Sequence, residues 1–589
     1  MAHSEARFHE ARGKRQFSLT GLSLLAVVIG IVTGLGAIVL RYLIGILHNL
    51  FFLGELSAEH DAITPTPPSP FGPFIILAPV IGGLIVLFLV RRFAPEAKGG
   101  GVSEVMDVIY YKGGRIRPQV VLIKALASAL SIGSGASVGR EGPIIQIGSG
   151  IGSVLGQRFD LRRWQVITMV AAGAGAGIAA SFNTPLGAVL FAVEVLLPEF
   201  SPRTLIPVVL ATGTATYMGR LAFGIEPLYL VATSQRPDLF VPLSADMLPL
   251  FVFLGLFGGL AAATFIRSTY ETEAFFDRLD MNPYVKNALG MGALGVLMYV
   301  VMLTTGMYHT AGVGDASVQQ VLTGQMTAPL LLLMLFALKM LATAISLGAG
   351  ASGGVFGPSL YLGAMLGGAF GAALDLMFPS LGFDPVTFAL IGMAAMVGAG
   401  TGAALSSIIM IFEMTGDYTI TVGAIIAVVV AVGMRRSITA DNLFTIKLTR
   451  AGHRIPSEIR SHLFPIRRAG ELMEPVVAVI DEADLSPHSL VVHRPRGKRS
   501  FAVVTRGRHI VGVAPVDPDD PRHTLGAVVG PVGIVRESTF LQTAMTHMAD
   551  RGHAAVVVMK DGGAPRAENV VGAITRVAIG AAVIEDYRS

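Results

Sequence analysis

Two stretches of this chain, Lys124–Pro143 (KALASALSIGSGASVGREGP) and Lys339–Pro358 (KMLATAISLGAGASGGVFGP), lie 215 residues apart and agree at twelve of 20 positions. The shared residues include Gly133/Gly348, Gly135/Gly350, Ser137/Ser352, Gly139/Gly354 and Pro143/Pro358. A second match follows in the same order at nearly the same offset, LGAVLFAVEV (186–195) with LSSIIMIFEM (405–414). Apolar helices resemble one another by composition, but composition alone does not reproduce Gly and Pro placement. The chain therefore contains duplicated halves.

Charge shows where those halves reside. Of 589 residues, 52% are hydrophobic and 14% charged, against about 25% charged in soluble domains. The deficit is uneven: 32 of the 139 residues in 451–589 are charged, but only 52 of the first 450. A membrane domain over 17–450, following a short segment 1–16, and a soluble domain over 451–589 are expected. At this charge density the net charge of +4 does not indicate a nucleic-acid partner, and a chain without cysteine forms no disulfides. The run from Gln16 to Leu40 carries no charge and is long enough for a bilayer core of roughly 30 Å. Arg7, Arg12, Lys14 and Arg15 precede it, which places the N-terminus in the cytoplasm. Many later apolar segments are short or broken by Gly and Pro. Broken segments survive in a membrane only where protein buries them or water lines them, so a transporter or channel is favoured over a receptor. The loop at 55–73 holds Glu55, Glu59, His60 and Asp61, which match no metal-ligand spacing and read as a solvated loop. There is neither a His-Glu-x-x-His metal site nor a clear serine–base or aspartyl pair, so no metal or enzyme is expected.

In each half a Gly-rich linker leads to a Pro at the first turn of a helix, where its missing N–H would have had no partner. The residues just before Pro143 and Pro358 thus present free backbone N–H groups. Repeated halves with broken helices place a site at their interface near the midplane, and two helix N-termini meeting there make an anion site. No Lys or Arg is required, and a fixed full charge would hold the ion too tightly for conduction. Glu141 stands in one linker. A carboxylate there can serve as a plain helix cap. At bilayer depth, however, an ionisable group costs about 2.5–3.5 kcal/mol on insertion scales, which favours a gate: a side chain that occupies the anion site and swings aside when protonated or displaced.

The motifs GREGP (139–143), GVFGP (354–358), SFNTPLGAVLFAVE (181–194), FEMTGDY (412–418) and APEA (94–97) resemble those of the CLC family of chloride channels and proton-coupled anion exchangers. They extend over most of residues 20–450. The resemblance implies an all-α multipass membrane domain with inverted-topology repeats and broken helices. It also implies a homodimer in the lipid bilayer, with one pathway per subunit for chloride or other small anions. By position, Glu141 is similar to the family's gating glutamate. The backbone of Arg140–Gly142 and of Val355, Phe356 and Gly357 corresponds to its anion-binding amides. Three departures follow. The family's Gly-Ser-Gly-Ile-Pro motif is here Gly99-Gly100-Gly101-Val102-Ser103, so Gly100 replaces the serine that contacts the central anion, with Gly101 beside it. The pore tyrosine aligns with Phe444. The inward-facing proton-relay glutamate of many exchangers aligns with Val195, beside Glu194, which reads as a structural hydrogen-bonding group. Because valine relays no proton, the sequence leans to passive anion conduction through a glutamate-gated pore, with proton-coupled exchange as the alternative.

Residues 469–517 and 524–588 resemble a cystathionine β-synthase-type (CBS) pair, a small cytoplasmic α/β domain. The second repeat shows an amphipathic stretch (540–552) followed by strand-like AAVVVM (554–559) and NVVGAITRV (569–577). The first shows FAVVTRGRHIVGVA (501–514), two β-rich segments about a turn. The family's nucleotide signature is incomplete: Thr575 is present, but its Asp is replaced by Ala578, and Pro515 stands at the first repeat's Thr position. These departures argue against an adenine nucleotide and for a structural, dimer-stabilising role. No other cofactor is implied. The basic run HRPRGKR (493–499) reads as a solvated loop. The plain N-terminus and compact loops fit a prokaryotic plasma membrane, with both termini cytoplasmic.

Overall fold

Six helices of the membrane domain begin on a proline, at 118, 185, 202, 283, 329 and 385, where the residue's fixed φ and absent N–H suit the first turn. The computed structural model describes residues 17–197, 200–231, 247–417, 419–453, 469–481, 500–507, 509–516, 532–539, 541–550, 552–553, 555–563 and 566–586. The N-terminal segment and the basic run at 493–499 lie outside the described residues. The chain divides into two units, Met1–Ile459 and Arg460–Ser589.

In the first unit the duplication is visible helix by helix. The first half contains α1 (Leu19–Phe52), α2 (Leu77–Phe93), α3 (Val102–Tyr110), α4 (Pro118–Gly133), α5 (Glu141–Arg158), α6 (Arg163–Phe182), α7 (Pro185–Phe191) and α8 (Pro202–Phe223). The second contains α9 (Leu248–Arg278), α10 (Pro283–Thr305), α11 (Asp315–Leu322), α12 (Pro329–Gly348), α13 (Phe356–Met377), α14 (Pro385–Thr401), α15 (Ala404–Thr415) and α16 (Thr421–Ile438). A short α17 (Thr445–Arg450) closes the unit. Among the described residues, eight helices are long and apolar enough to cross a membrane. Pro118–Gly133, Pro185–Leu196, Pro385–Thr401 and Ala404–Thr415 are apolar but shorter, as the broken pattern requires.

Lipid supplies no hydrophobic drive between helices, so membrane helices associate through close contact of small residues. Both halves use the same contacts. Gly30 and Gly34 of α1 lie against Ala211 and Ala215 of α8, and Gly255 and Gly259 of α9 lie against Ala427 and Ala431 of α16. Gly148 of α5 faces Gly173 of α6, and Gly363 of α13 faces Gly392 of α14. Large apolar side chains such as Leu24, Val39, Leu303 and Val429 point outward and are more than 60% exposed, as a lipid-facing surface demands.

The two halves meet through equivalent residues. The N–H of Gly139 donates to Gly354 O, and that of Gly354 donates to Gly139 O, each at 2.7 Å, in an antiparallel bridge. Ser137 N donates to Ser346 Oγ and Ser352 N to Ser131 Oγ, both at 3.0 Å. Ser128 Oγ meets Ser352 Oγ, and Thr343 Oγ1 meets Ser137 Oγ, both at 3.1 Å. Equivalent residues that pair antiparallel and reciprocally are related by a local two-fold axis, which here passes between the two Gly-rich linkers.

The second unit is a small α/β domain. Its sheet has the order β3-β2-β1-β6-β5-β4, from β1 (Glu474–Asp481), β2 (Ser500–Arg506), β3 (His509–Val516), β4 (Val532–Arg536), β5 (Ala555–Met559) and β6 (Val570–Thr575). Helices α18 (Ala469–Leu472), α19 (Leu541–Asp550) and α20 (Arg576–Asp586) accompany it. The pair β2/β3 is the expected antiparallel hairpin. The hydroxyl of Thr575 accepts from Ala578 N at 3.1 Å and so helps to start α20.

The α5–α6 crossing tests the packing account. A methyl on Gly173 would lie 2.0 Å from Gly148 O, so Gly173→Ala must push the helices apart. Overpacking of this kind costs about 1–3 kcal/mol. The detergent-solubilised variant is expected to lose monodispersity on size exclusion at a clearly lower temperature than the parent chain.

Candidate anion pathway

The reciprocal glycine bridge delivers two helix starts to one place. Helix α5 begins at Glu141 after Arg140, and α13 begins at Phe356 after Val355. Their first helical bonds run from Ile144 N to Arg140 O (3.1 Å) and from Ser359 N to Val355 O (3.0 Å). The N–H groups of Glu141, Gly142, Phe356 and Gly357 therefore precede the helical bonding, as at any helix N-terminus. Each helix contributes about half a positive charge there.

The Glu141 side chain lies at this junction. It is 2% exposed, and its carboxylate rests over the second half's linker. A Cβ on Gly357 would stand 2.8 Å from Glu141 Oε1, and one on Gly139 only 2.0 Å from Oε2. The glycines thus make the seat for the carboxylate. The N–H groups of Glu141 and Gly357 face it, but neither oxygen has a partner at hydrogen-bond geometry. This carboxylate is held by placement more than by bonds, which leaves it free to exchange with another anion.

A third backbone segment closes the junction. Gly100 O approaches Gly142 so closely that a Cβ there would lie 1.8 Å away. Lys124 anchors this segment by donating to Gly99 O at 2.6 Å and Ala97 O at 3.1 Å. Lys339, its counterpart, donates to Gly312 O at 2.8 Å and Thr310 O at 3.3 Å. Gly101, with φ of +93°, precedes α3, and its N–H donates to Glu104 Oε2 at 2.8 Å.

One cavity runs from Glu141 between these segments. Gly100, Gly142, Val355, Phe356 and Phe444 line it, together with Glu141. Its walls are otherwise largely apolar, including Phe182 and Phe191, with Phe191 and Phe444 edge to face at 6.1 Å between centroids. Ser103 also lines the cavity, but its hydroxyl donates to Phe444 O at 2.8 Å. Neither Gly100 nor Phe444 offers a side-chain hydroxyl. Such a chamber can take a small anion on backbone N–H groups and aromatic edges.

Four singled-out residues are not part of the lining: Arg140, Gly101, Gly357 and Val195. Arg140 lies instead by a second cavity that also includes Arg41, His48, His60 and Asp315. There its guanidinium sits 3.5 Å from Asp315 Oδ2 and over the Phe182 ring at 5.2 Å. His60 of the loop at 55–73 is not wholly solvated, since it packs on His48 with ring centroids 4.3 Å apart. Val195 is buried at 9% exposure in a π-turn (Ala192–Leu196).

Glu194 has a structural role. Its carboxylate accepts from Leu405 N (3.1 Å), Ser406 N (2.9 Å) and Ser406 Oγ (2.6 Å) at the start of α15. Glu413 does the same for α7, accepting from Leu186 N (3.0 Å) and Gly187 N (2.8 Å). Each half therefore caps a helix of the other. The sequence reading missed the contribution of α9: Thr269, Tyr270 and Glu273 also line the cavity, as do Lys98 and Lys447. The signal for the α9 residues was the polar run STYETE at 268–273, within the last turns of a helix that is apolar over most of its length.

A buried two-fold of broken helices, with paired N-termini around a carboxylate, defines a membrane transporter for small anions. A family model described as "Voltage gated chloride channel" matches residues 82–436. Relatives from Citrobacter koseri and Salmonella arizonae, both named "H(+)/Cl(-) exchange transporter ClcA", are each 30% identical over 434 residues, covering 72% of this chain and 88% of theirs. Among solved structures, a slow cyanobacterial Cl-/H+ antiporter is similar with a TM-score of 0.64 and 26% identity, over 74% of this chain and 99% of its own. A eukaryotic CLC transporter shares the fold over 95% of this chain and 97% of its own, with a TM-score of 0.58 and 20% identity. The chain belongs to the CLC family of anion transporters.

The cross-capping carboxylates yield a paired expectation. Bonds to charged groups are worth about 1.5–3 kcal/mol, so Glu194→Ala and Glu413→Ala should each lower thermal stability in detergent by a similar amount. A normal melting curve for either variant would show that its cap is dispensable.

Proposed function

We propose that the protein exchanges chloride-type anions for protons, with Glu141 as the gate. The observation that carries this reading is the Glu141 carboxylate itself, seated at the meeting point of two helix N-termini and facing the cavity. An anion and an ionised carboxylate compete for one such place. Protonation removes the carboxylate's claim and lets an anion enter, and release of the proton lets the side chain return. A site that takes either ion, but not both, couples their movements. Val195 by itself favours passive conduction, but relatives at 30% identity named as exchangers and an antiporter of like structure weigh more heavily for exchange.

The anion rests on backbone N–H groups of Arg140–Gly142 and Val355–Gly357 and on the apolar rim. Lys124 and Lys339 are spent on loop carbonyls, and Lys447, which lines the cavity, is paired with Glu104. The reading also includes a homodimer with one pathway in each subunit. It places the chain in a prokaryotic plasma membrane with both termini cytoplasmic, supported by the basic residues before Gln16 and by bacterial relatives.

Liposomes reconstituted with the purified chain test the reading. An imposed chloride gradient should drive protons uphill, and Glu141→Gln should abolish proton movement while anions still flow. Anion flux without any proton movement in the parent chain would return the reading to passive conduction. The missing hydroxyls give a second test. A Cβ on Gly100 meets nothing within 4 Å, so Gly100→Ser is tolerated. Gly100→Ser and Phe444→Tyr should each tighten chloride binding by calorimetry about tenfold, the equivalent of about 1.4 kcal/mol.

A further inference from the structure

The exchange reading leaves a gap, because the aligned position for an inner acid holds Val195, which is buried off the cavity. Another carboxylate does face the cavity. Glu273 of α9 lines it together with Thr269, four residues earlier, on the same helix face and about 6 Å along the axis.

Neither side chain is committed to a hydrogen bond or ion pair among the described residues. Thr269 is 3% exposed, and its Oγ1 is buried with no hydrogen-bond partner, an arrangement that costs free energy unless water satisfies it. Glu273 is half-buried, and among the described residues no ion pair or hydrogen bond engages it. The nearby cation feels the Glu273 charge but is bound by another acid. Lys447 of α17 is already ion-paired with Glu104 of α3. The other charged groups around Glu273 are Lys98, which also lines the cavity, and Asp277, which acts on Lys447 from the same helix. The neighbouring Tyr270 hydroxyl is spent on Leu443 O at 2.7 Å. Glu141 has a different set of charged neighbours, Arg140 and Asp315. The two carboxylates thus face one cavity from two ends, Glu273 at the end where the chain leaves the membrane domain through α17.

We infer that Glu273 is the inner proton acceptor of this transporter, passing protons toward Glu141 through water held at the Thr269 hydroxyl. A Glu273 oxygen takes a proton from hydronium, forming one O–H bond and leaving water. It then returns that proton to the water chain and regains its charge, so atoms and charge balance. Among the described residues, the chamber lining holds no carboxylate besides Glu141 and Glu273.

This inference rests on the exchange reading, and the same liposomes separate the two. Proton and chloride fluxes are measured together under an imposed chloride gradient. Glu273→Gln is expected to lower the proton-to-chloride ratio at least tenfold while chloride flux persists, and Glu273→Asp to restore much of it. Thr269→Val should lower the ratio several-fold, and provides an independent reading should Glu273→Gln fail to fold. A parent chain that moves chloride without protons overturns the exchange reading and this inference together. A coupled parent with an equally coupled Glu273→Gln, or, where that variant does not fold, an equally coupled Thr269→Val, overturns this inference alone.

Discussion

Two hydrogen bonds of 2.7 Å between Gly139 and Gly354 set the geometry on which the membrane domain depends. They pair equivalent residues of duplicated halves, and so determine where the local two-fold axis passes. The starts of α5 and α13 follow at once, because each helix begins two residues after its bridging glycine. Everything nearby then accommodates two backbones at contact distance. Glycine is required where Gly100 O meets Gly142 and where the Glu141 carboxylate meets Gly139 and Gly357.

That geometry explains why a transporter of anions can be poor in charge. Half charges at two helix ends act on one small volume, in surroundings where burial strengthens them. Full charges are employed structurally. Lys124 and Lys339 tie down loop carbonyls, Glu194 and Glu413 cap partner helices, and Arg140 faces Asp315. The side chains of Glu141, Glu273 and Lys98 instead face the cavity with no hydrogen-bond or ion-pair partner among the described residues. Groups with unspent hydrogen-bonding capacity are the ones able to change protonation and position.

Much of this was legible before the structure. The Gly and Pro placement identified both linkers, and Glu141 stood out as a carboxylate at bilayer depth. Glu194 was read as structural, and its bonds to Leu405 and Ser406 show why. The offset between its motif and that of Glu413 even reappears as reciprocal capping. Other features were not legible. The bond from the Ser103 hydroxyl to Phe444 O joins positions 341 residues apart. Glu273 was overlooked because nothing local separates a cavity-facing acid near a helix end from an ordinary solvated one. His60 was assigned to solvent, although its ring packs at a tilt against that of His48.

The sequence by itself determined the duplication, the division into membrane and soluble parts, the broken helices and the residue types at the helix starts. These follow from composition and from local backbone chemistry, in which Pro begins helices and Gly permits close approach. Only the tertiary structure decided which N–H groups converge, which hydroxyls are already spent, and which acids face the cavity. Those outcomes depend on side-chain direction and on pairings across hundreds of residues, and a linear pattern carries neither.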